Sequence, residues 1–263
     1  MSAPNSGYWD RIGDEWSRTR RQALWRLHGD AVNRALLERW LPERPVRRLL
    51  KTDAFDEAVG VGLHGWLAER AARVHELDLS PATLAAARRG RGAVLATAAD
   101  CRRLPFSTGA FDVVVSLSTL DHFDSAADIR TSLSELRRVL RPDGVLLLTL
   151  DNPANPVVAL RNALPFPWLR RLGLVPYFVG QSLDRRALGR VLGDVGFRVE
   201  EEAAVLHAPR VFAVAVAGLL DRLGMPALER SFLRLMMRFE ALGRWPTRER
   251  TGYFVAVRAV ALA

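Results

Sequence analysis

Between residues 46 and 151 five short apolar runs alternate with stretches of helical periodicity: VRRLLKT (46–52), ARVHELD (72–78), AVLATAAD (93–100), FDVVVSLS (111–118) and GVLLLTLD (144–151). Apolar strands separated by helices point to repeated βαβ units, a mostly parallel sheet with helices on both faces. The intervening helices are HGWLAERAA, PATLAAARR and DIRTSLSELRRVL. Ser80 before Pro81 supplies an N-cap and a proline at the first helical position. Arg141-Pro142-Asp143-Gly144 closes the third helix, since proline cannot continue it and glycine permits the turn into the next strand. Two later runs, FRVEEEAAVLH (197–207) and TGYFVAVRAVAL (251–262), carry the alternation and β-branched content of strands, with SLDRRALGRVLGDVG as the helix before the first. The expected architecture is α/β, doubly wound, with seven strands.

Three segments lie outside this rhythm. Residues 8–41 place Trp9, Ile12, Trp16, Leu24, Leu27, Val32, Leu36, Leu37 and Trp40 at three- and four-residue steps, predicting amphipathic helices that Pro42 and Pro45 end. Residues 1–44 are thus a helical cap on a domain spanning 45–263, with insertions at about 152–181 and 208–247. The first insertion holds Pro153, Pro156, Pro165, Pro167 and Pro176, which preclude one long helix. The second is amphipathic, with Phe232, Leu233, Leu235, Met236, Met237 and Phe239 on its apolar face. Both follow strands expected to end near a ligand, as lids and pocket walls do.

The formal net charge of +9 raises nucleic acid or a membrane surface as partners, but the arginines are scattered and Lys51 is the single lysine, so no basic stripe forms. A single cysteine, Cys101, excludes an intramolecular disulfide framework and a cysteine zinc cluster, and no His/Asp/Glu spacing suggests a metal site. No basic start followed by an apolar run marks a signal peptide. The longest apolar stretch, VFAVAVAGLL (211–220), has about half the ~20 residues that span a bilayer. A soluble cytoplasmic protein is expected; its oligomeric state is not set by the sequence.

In an open α/β sheet the ligand lies beyond the carboxyl ends of the strands, where the strand order reverses. Strand-final residues are therefore the informative ones. Asp78 ends the second run, where a carboxylate can accept hydrogen bonds from both hydroxyls of a ribose; alone it could equally be a turn or helix-start aspartate. Its surroundings settle the reading. LDLSPATLAAAR (77–88), AADCRRLPFSTGAFDVVVSLSTLDHF (98–123) and ELRRVLRPDGVLLLT (135–149) follow in order, and over roughly residues 45–200 the chain resembles class I S-adenosylmethionine-dependent methyltransferases. The resemblance implies a Rossmann-like methyltransferase fold with S-adenosyl-L-methionine as cofactor. It implies Asp78 on the ribose, Asp100 and Cys101 near the adenine, and Ser116 or Ser118 beneath the methionine portion.

The first motif departs from the family, in which an acidic strand end precedes a GxGxG-like turn. Here LLKTDAFDEAVGVGLHG (49–65) puts Lys51 at the acidic position and delays the glycines to Gly60, Gly62 and Gly65. Three readings are open. Asp53, Asp56 or Glu57 could contact the cationic part of the cofactor, with Gly60 and Gly62 covering its methionine. Lys51 could bind the cofactor carboxylate or pair with Asp53. Or the loop could be degenerate and cofactor binding lost.

Methyl transfer is an in-line displacement governed by positioning, with a general base optional. Base candidates at strand ends are His122, Asp151 and His207, each with a structural role as the competing reading. The aromatic content of the flanking segments, including Trp9, Trp16, Phe166, Trp168, Tyr177 and Phe178, favours a small apolar or aromatic acceptor methylated on oxygen, nitrogen or carbon, as in bacterial specialised metabolism. The alternatives are a methyltransferase-fold scaffold without transfer, a cyclisation or rearrangement catalyst, and a lipid-directed enzyme using the basic, apolar 208–247 region at a membrane.

Overall fold

A computed structural model describes residues 5–19, 22–89, 91–171, 175 and 177–262. In chain order the elements are α1 (Ser6–Thr19), α2 (Ala23–Trp40), β1 (Val46–Lys51), α3 (Phe55–Val59), α4 (His64–Ala68), β2 (Ala71–Asp78), α5 (Pro81–Ala87), β3 (Leu95–Ala98) and β4 (Phe111–Leu117). A 3₁₀ turn (Leu120–His122) leads into α6 (Ala126–Val139), β5 (Leu140–Asp151), α7 (Pro156–Ala163), α8 (Phe166–Arg171), α9 (Arg185–Asp194) and β6 (Phe197–Val205). α10 (Arg210–Leu223), α11 (Pro226–Arg238), a second 3₁₀ turn (Phe239–Arg244), α12 (Arg248–Thr251) and β7 (Phe254–Ala261) complete the chain.

The seven strands lie in the order β3-β2-β1-β4-β5-β7-β6, all parallel except β7, which runs antiparallel between β5 and β6. The chain winds outward from β1 to β3 and returns to β4 on the other side of β1. The order therefore reverses between β1 and β4, and the carboxyl ends of these strands open a crevice there. Successive strand residues face opposite sides. Leu49, Val113, Val145 and Leu147 join the side chains of α2, α4, α10 and α11 in one core. Leu50, Val114, Leu146 and Leu148 join Ile129, Leu133 and Leu136 of α6 and Leu188 and Leu192 of α9 in the other. Burial on both faces is why the strands read as unbroken apolar runs.

Local chemistry sets the element ends. The Ser80 hydroxyl accepts from Thr83 N at 3.0 Å and Ser125 from Asp128 N at 3.0 Å, capping α5 and α6. α1 docks on the start of α5 through Asp10, which accepts from Ala82 N at 3.2 Å and from the Ser80 hydroxyl. Gly13 makes this approach feasible, because a Cβ there would stand 2.6 Å from Thr83 Oγ1.

Three details differ from the sequence expectation. The helix expected over HGWLAERAA stops at Ala68, because Ala71 already pairs with Val46 at the start of β2. β5 starts at Leu140, before the Pro142-Asp143-Gly144 turn, which becomes an irregularity inside the strand: Leu140 pairs with Phe111 and the ladder resumes at Val145 opposite Val113. Gly144 lets the chain double back there, since a Cβ would come 2.8 Å from Arg141 O. The proline-rich insertion forms two short helices, α7 and α8, the first capped by Asn155 with Pro156 behind it. Pro176 lies outside the described residues. Among the described residues no helix is long and apolar enough to cross a membrane.

Candidate cofactor and acceptor site

The strand ends at the order reversal open into a cavity of about 230 Å³. Its floor is Thr52 and Asp53 after β1, Asp78 after β2, Asp100, Cys101 and Arg102 after β3, and Ser118 and Thr119 after β4. Trp9, Trp16, Trp25, Arg26 and Asp30 from α1 and α2 form one wall, on which Tyr177 packs, with Arg210 and Phe254 toward β7.

Asp78 is held from behind. Its Oδ2 accepts from Ala54 N at 3.0 Å and its Oδ1 from Ser80 N at 2.8 Å. A carboxylate offers about four acceptor positions, so about two stay open for a vicinal diol. Burial raises the Asp78 pKa, opposed by these two backbone donors and by Lys51. Asp100 is gripped by Arg102, whose backbone N–H lies 2.8 Å from Oδ1 and whose Nη2 lies 2.7 Å from Oδ2. Arg102 is itself fixed by Asp128 at 3.1 Å and stacked over Phe123. The Cys101 thiol, pushed upward by burial, is a small packing group of the floor.

Lys51 lies under the floor rather than in the cavity. Its ammonium, only 3% exposed, meets Glu57 Oε2 at 2.8 Å, Asp53 Oδ1 at 3.3 Å and the Asp53 carbonyl at 2.8 Å. Burial disfavours its charge, but the surrounding carboxylates win and raise its pKa. The other Glu57 oxygen accepts from Leu63 N at 2.9 Å and His64 N at 3.1 Å. Glu57 thereby ties β1 to the entry of α4 across the whole atypical loop. Gly62, at φ +63°, allows the chain to pass it: a Cβ there would sit 2.6 Å from the Glu57 carboxyl carbon. Gly62 thus makes room for the Lys51–Glu57 clasp, Gly60 lies beside the Asp56 carbonyl, and neither lines the cavity.

Several other expected site residues sit elsewhere. Ser116 is fully buried one layer down, accepting from the Thr52 hydroxyl at 2.9 Å, and Ser118 takes the cavity position with φ +50°. Asp151 is buried against Arg161 at 2.7 Å, outside the cavity lining; burial and the neighbouring Asp121 push it up to about 6. His207 has both ring nitrogens engaged, Nδ1 with Thr251 Oγ1 at 2.8 Å and Nε2 with Ala204 O at 2.9 Å, and does not line the cavity. His122 does line it. Its Nδ1–H donates to Phe178 O at 2.9 Å, and its Nε2 lies 3.9 Å from the buried Asp121 Oδ1.

The walls carry groups that sequence reading did not single out. Arg26 pairs with Asp56 and lies over the rings of Trp16 and Phe55. Asp30, one helical turn on, is raised to about 7 by burial and by Asp56 and Glu57. A polar pair four residues apart beside Trp25 and Val32, on a largely apolar inward face, is the signal that could have found them. Burial, opposed by Lys51 and reinforced by Glu57, Asp56 and Asp78, pushes Asp53 up to about 7. Trp9, Trp16, Phe55 and His122 all pack around Tyr177, with ring centroids 5.6 to 6.0 Å from it.

A seven-stranded doubly wound sheet with a carboxylate after β2 and a second after β3 at the order reversal is the architecture of a ligand-binding α/β protein. Residues 58–148 match the methyltransferase domain family model. The chain is 33% identical over 194 residues to malonyl-[acyl-carrier protein] O-methyltransferase of Enterobacter lignolyticus, an alignment covering 73% of this chain and 69% of that one. The fold matches the N-methyltransferase NodS of Bradyrhizobium japonicum, solved with S-adenosyl-L-homocysteine (TM-score 0.52, 16% identity, 87% of this chain and 84% of that one). It also matches the [4+2]-cyclase SpnF (TM-score 0.56, 20% identity, 89% and 82%). The chain belongs to the class I S-adenosylmethionine-dependent methyltransferase family, and its cofactor is S-adenosyl-L-methionine.

Removing one partner of a buried ion pair leaves an uncompensated charge, at a cost of about 3–5 kcal/mol. Lys51→Met is therefore expected to lose that much stability in urea unfolding, and Lys51→Met/Glu57→Gln to recover part of it. A single-variant loss under about 1 kcal/mol would show that the clasp is not structural.

Proposed function

We propose that the protein methylates oxygen, nitrogen or carbon on a small acceptor with an apolar or aromatic body. The observation that carries this reading is continuity: one cavity runs from the strand-end carboxylates Asp78 and Asp100, past Asp53, to the rings around Tyr177. The cofactor, when bound, supplies an electrophilic methyl group on a sulfonium. The chain supplies position and charge. Asp78 would hold the ribose hydroxyls, Asp100 and Cys101 would border the adenine, and Asp53 would face the cationic portion from the end of β1. Thr52 and Ser118 would form the bed beneath the methionine part.

The acid-lined floor suits a cation, since opposite charges in a partly dehydrated cleft attract more strongly than in water. On the acceptor side, the aromatic wall excludes water and offers flat apolar surface. His122, which lines the cavity beside Tyr177 with Nε2 3.9 Å from Asp121, would take a proton from a hydroxyl or amine, a contribution of about 10²–10⁴ in rate where the acceptor needs it. The Enterobacter relative is an O-methyltransferase, which favours oxygen among the three atoms.

Two calorimetric measurements test this reading. Asp78→Ala should weaken both S-adenosylmethionine and S-adenosylhomocysteine by about 10- to 100-fold, the worth of hydrogen bonds to a charged group; wild-type affinity would remove the ribose assignment. Asp53 holds a proton below about pH 7 in the free protein, and a cation beside it favours the ionised form. Binding should then release a proton, so S-adenosylmethionine affinity rises with pH up to about 7, by at most about tenfold per unit. Asp53→Asn should flatten that slope, and an unchanged slope would assign the proton elsewhere.

A further inference from the structure

Among the described residues three arginines line the cavity, and two are neutralised: Arg26 by Asp56, and Arg102 by Asp100 and Asp128. The third, Arg210, is not. It opens α10, just after β6, and its half-buried guanidinium lies 4.5 Å from the centre of the Tyr253 ring. Among the described residues no carboxylate lies in ion-pair range of it. The nearby Asp151 is already taken by Arg161, which also donates to the Tyr253 hydroxyl at 3.0 Å. Arg210 and Tyr177 line the same cavity, and the charge of Arg210 is one of those that lower the Tyr177 hydroxyl pKa, which burial raises.

Its place in the sheet separates it from the cofactor. The carboxylates assigned to the nucleoside end β2 and β3, and Asp53 ends β1. Arg210 lies at the opposite side, above β5 and β7, where Tyr253 leads into β7. A cation in a partly dehydrated cavity costs free energy unless an anion or strong acceptor meets it. A planar guanidinium matches a carboxylate in two-pronged geometry.

We propose that Arg210 is the anion-binding residue of the acceptor subsite, and that the acceptor is an organic acid whose carboxylate docks on Arg210 while its apolar body lies against Tyr177 and Trp9. This rests on the methyltransferase reading for the cofactor side of the cavity, but Arg210 recognises the acid through its own geometry. The carboxylate is an anchor. It orients the acceptor, and orientation within a bound complex is where most of the rate of an in-line displacement originates.

The test is binding, not turnover. Acetate, hexanoate and phenylacetate are titrated against acetamide, hexanamide and phenylacetamide, with and without S-adenosylhomocysteine, following the fluorescence of the cavity tryptophans. At least one acid should bind about tenfold or more tightly than its amide, as expected for a charge-assisted bidentate contact. Arg210→Gln should abolish that preference, Arg210→Lys should keep part of it, and S-adenosylhomocysteine affinity should stay within about twofold in both. Equal binding of acids and amides, no saturable binding of any acid, or a preference that survives Arg210→Gln overturns the proposal. So does a matching loss of S-adenosylhomocysteine affinity, which would move Arg210 to the cofactor. Acid preference in a protein that binds no S-adenosylhomocysteine would instead sink the methyltransferase reading and leave the anion site standing.

Discussion

The buried Lys51–Glu57 ion pair is the constraint on which the cofactor end of the cavity depends. An ammonium with 3% of its side chain exposed is tolerable only where carboxylates surround it, and Glu57 and Asp53 do so at 2.8 and 3.3 Å. The consequence runs outward along the chain. Glu57 also holds the amides of Leu63 and His64, so the loop between β1 and α4 is fixed at both ends. With the loop fixed, Ala54 N reaches Asp78, and the carboxylate proposed for the ribose acquires its orientation. In the usual arrangement glycines let the backbone itself approach the ligand. Here the glycines accommodate a carboxylate, and the residues left facing the ligand are Thr52 and Asp53.

The second consequence is electrostatic. One lysine is surrounded by Asp53, Asp56, Glu57 and, farther off, Asp78, so the region carries more negative than positive groups. Burial and mutual repulsion push Asp53 and Asp30 to about 7, within reach of physiological pH. A free cavity of this kind is partly protonated and ready to exchange protons for a cationic ligand. Toward β7 the sign reverses, because Arg210 lines the cavity over the Tyr253 ring with no carboxylate among the described residues in ion-pair range. The cavity is thus polarised, acid toward β1–β3 and basic toward β7, and this polarity suits a cationic cofactor beside an anionic acceptor.

The strand and helix alternation was legible because both faces of the sheet are buried, which writes each strand as a solid apolar run, and because Ser80-Pro81 caps its helix in the ordinary way. Strand-final position placed Asp53, Asp78, Asp100 and Cys101 at the cavity for the same reason. The errors have physical sources. A two-residue step distinguishes Ser116 from Ser118, and only the strand's end at Leu117 decides which one meets the cavity. His207 and Asp151 do follow strands, but Thr251 and Arg161, far apart in sequence, fold back to occupy them. Gly60 and Gly62 have the GxG spacing of the family's turn, yet the role of Gly62 depends on Glu57, which no pattern of glycines reveals. Arg210 reaches the site only through the docking of α10 on the sheet, a tertiary event without a local signature, and Arg26 and Asp30 show only their four-residue spacing on the inward face of α2.

The most direct measurement is a crystal structure of the protein with S-adenosylhomocysteine. The ribose hydroxyls should lie within hydrogen-bond distance of Asp78, with the methionine portion over Thr52 and Asp53 and Lys51 still on Glu57 beneath the floor. A ligand whose carboxylate is held by a Lys51 swung into the cavity, or one seated away from Asp78, would contradict the account.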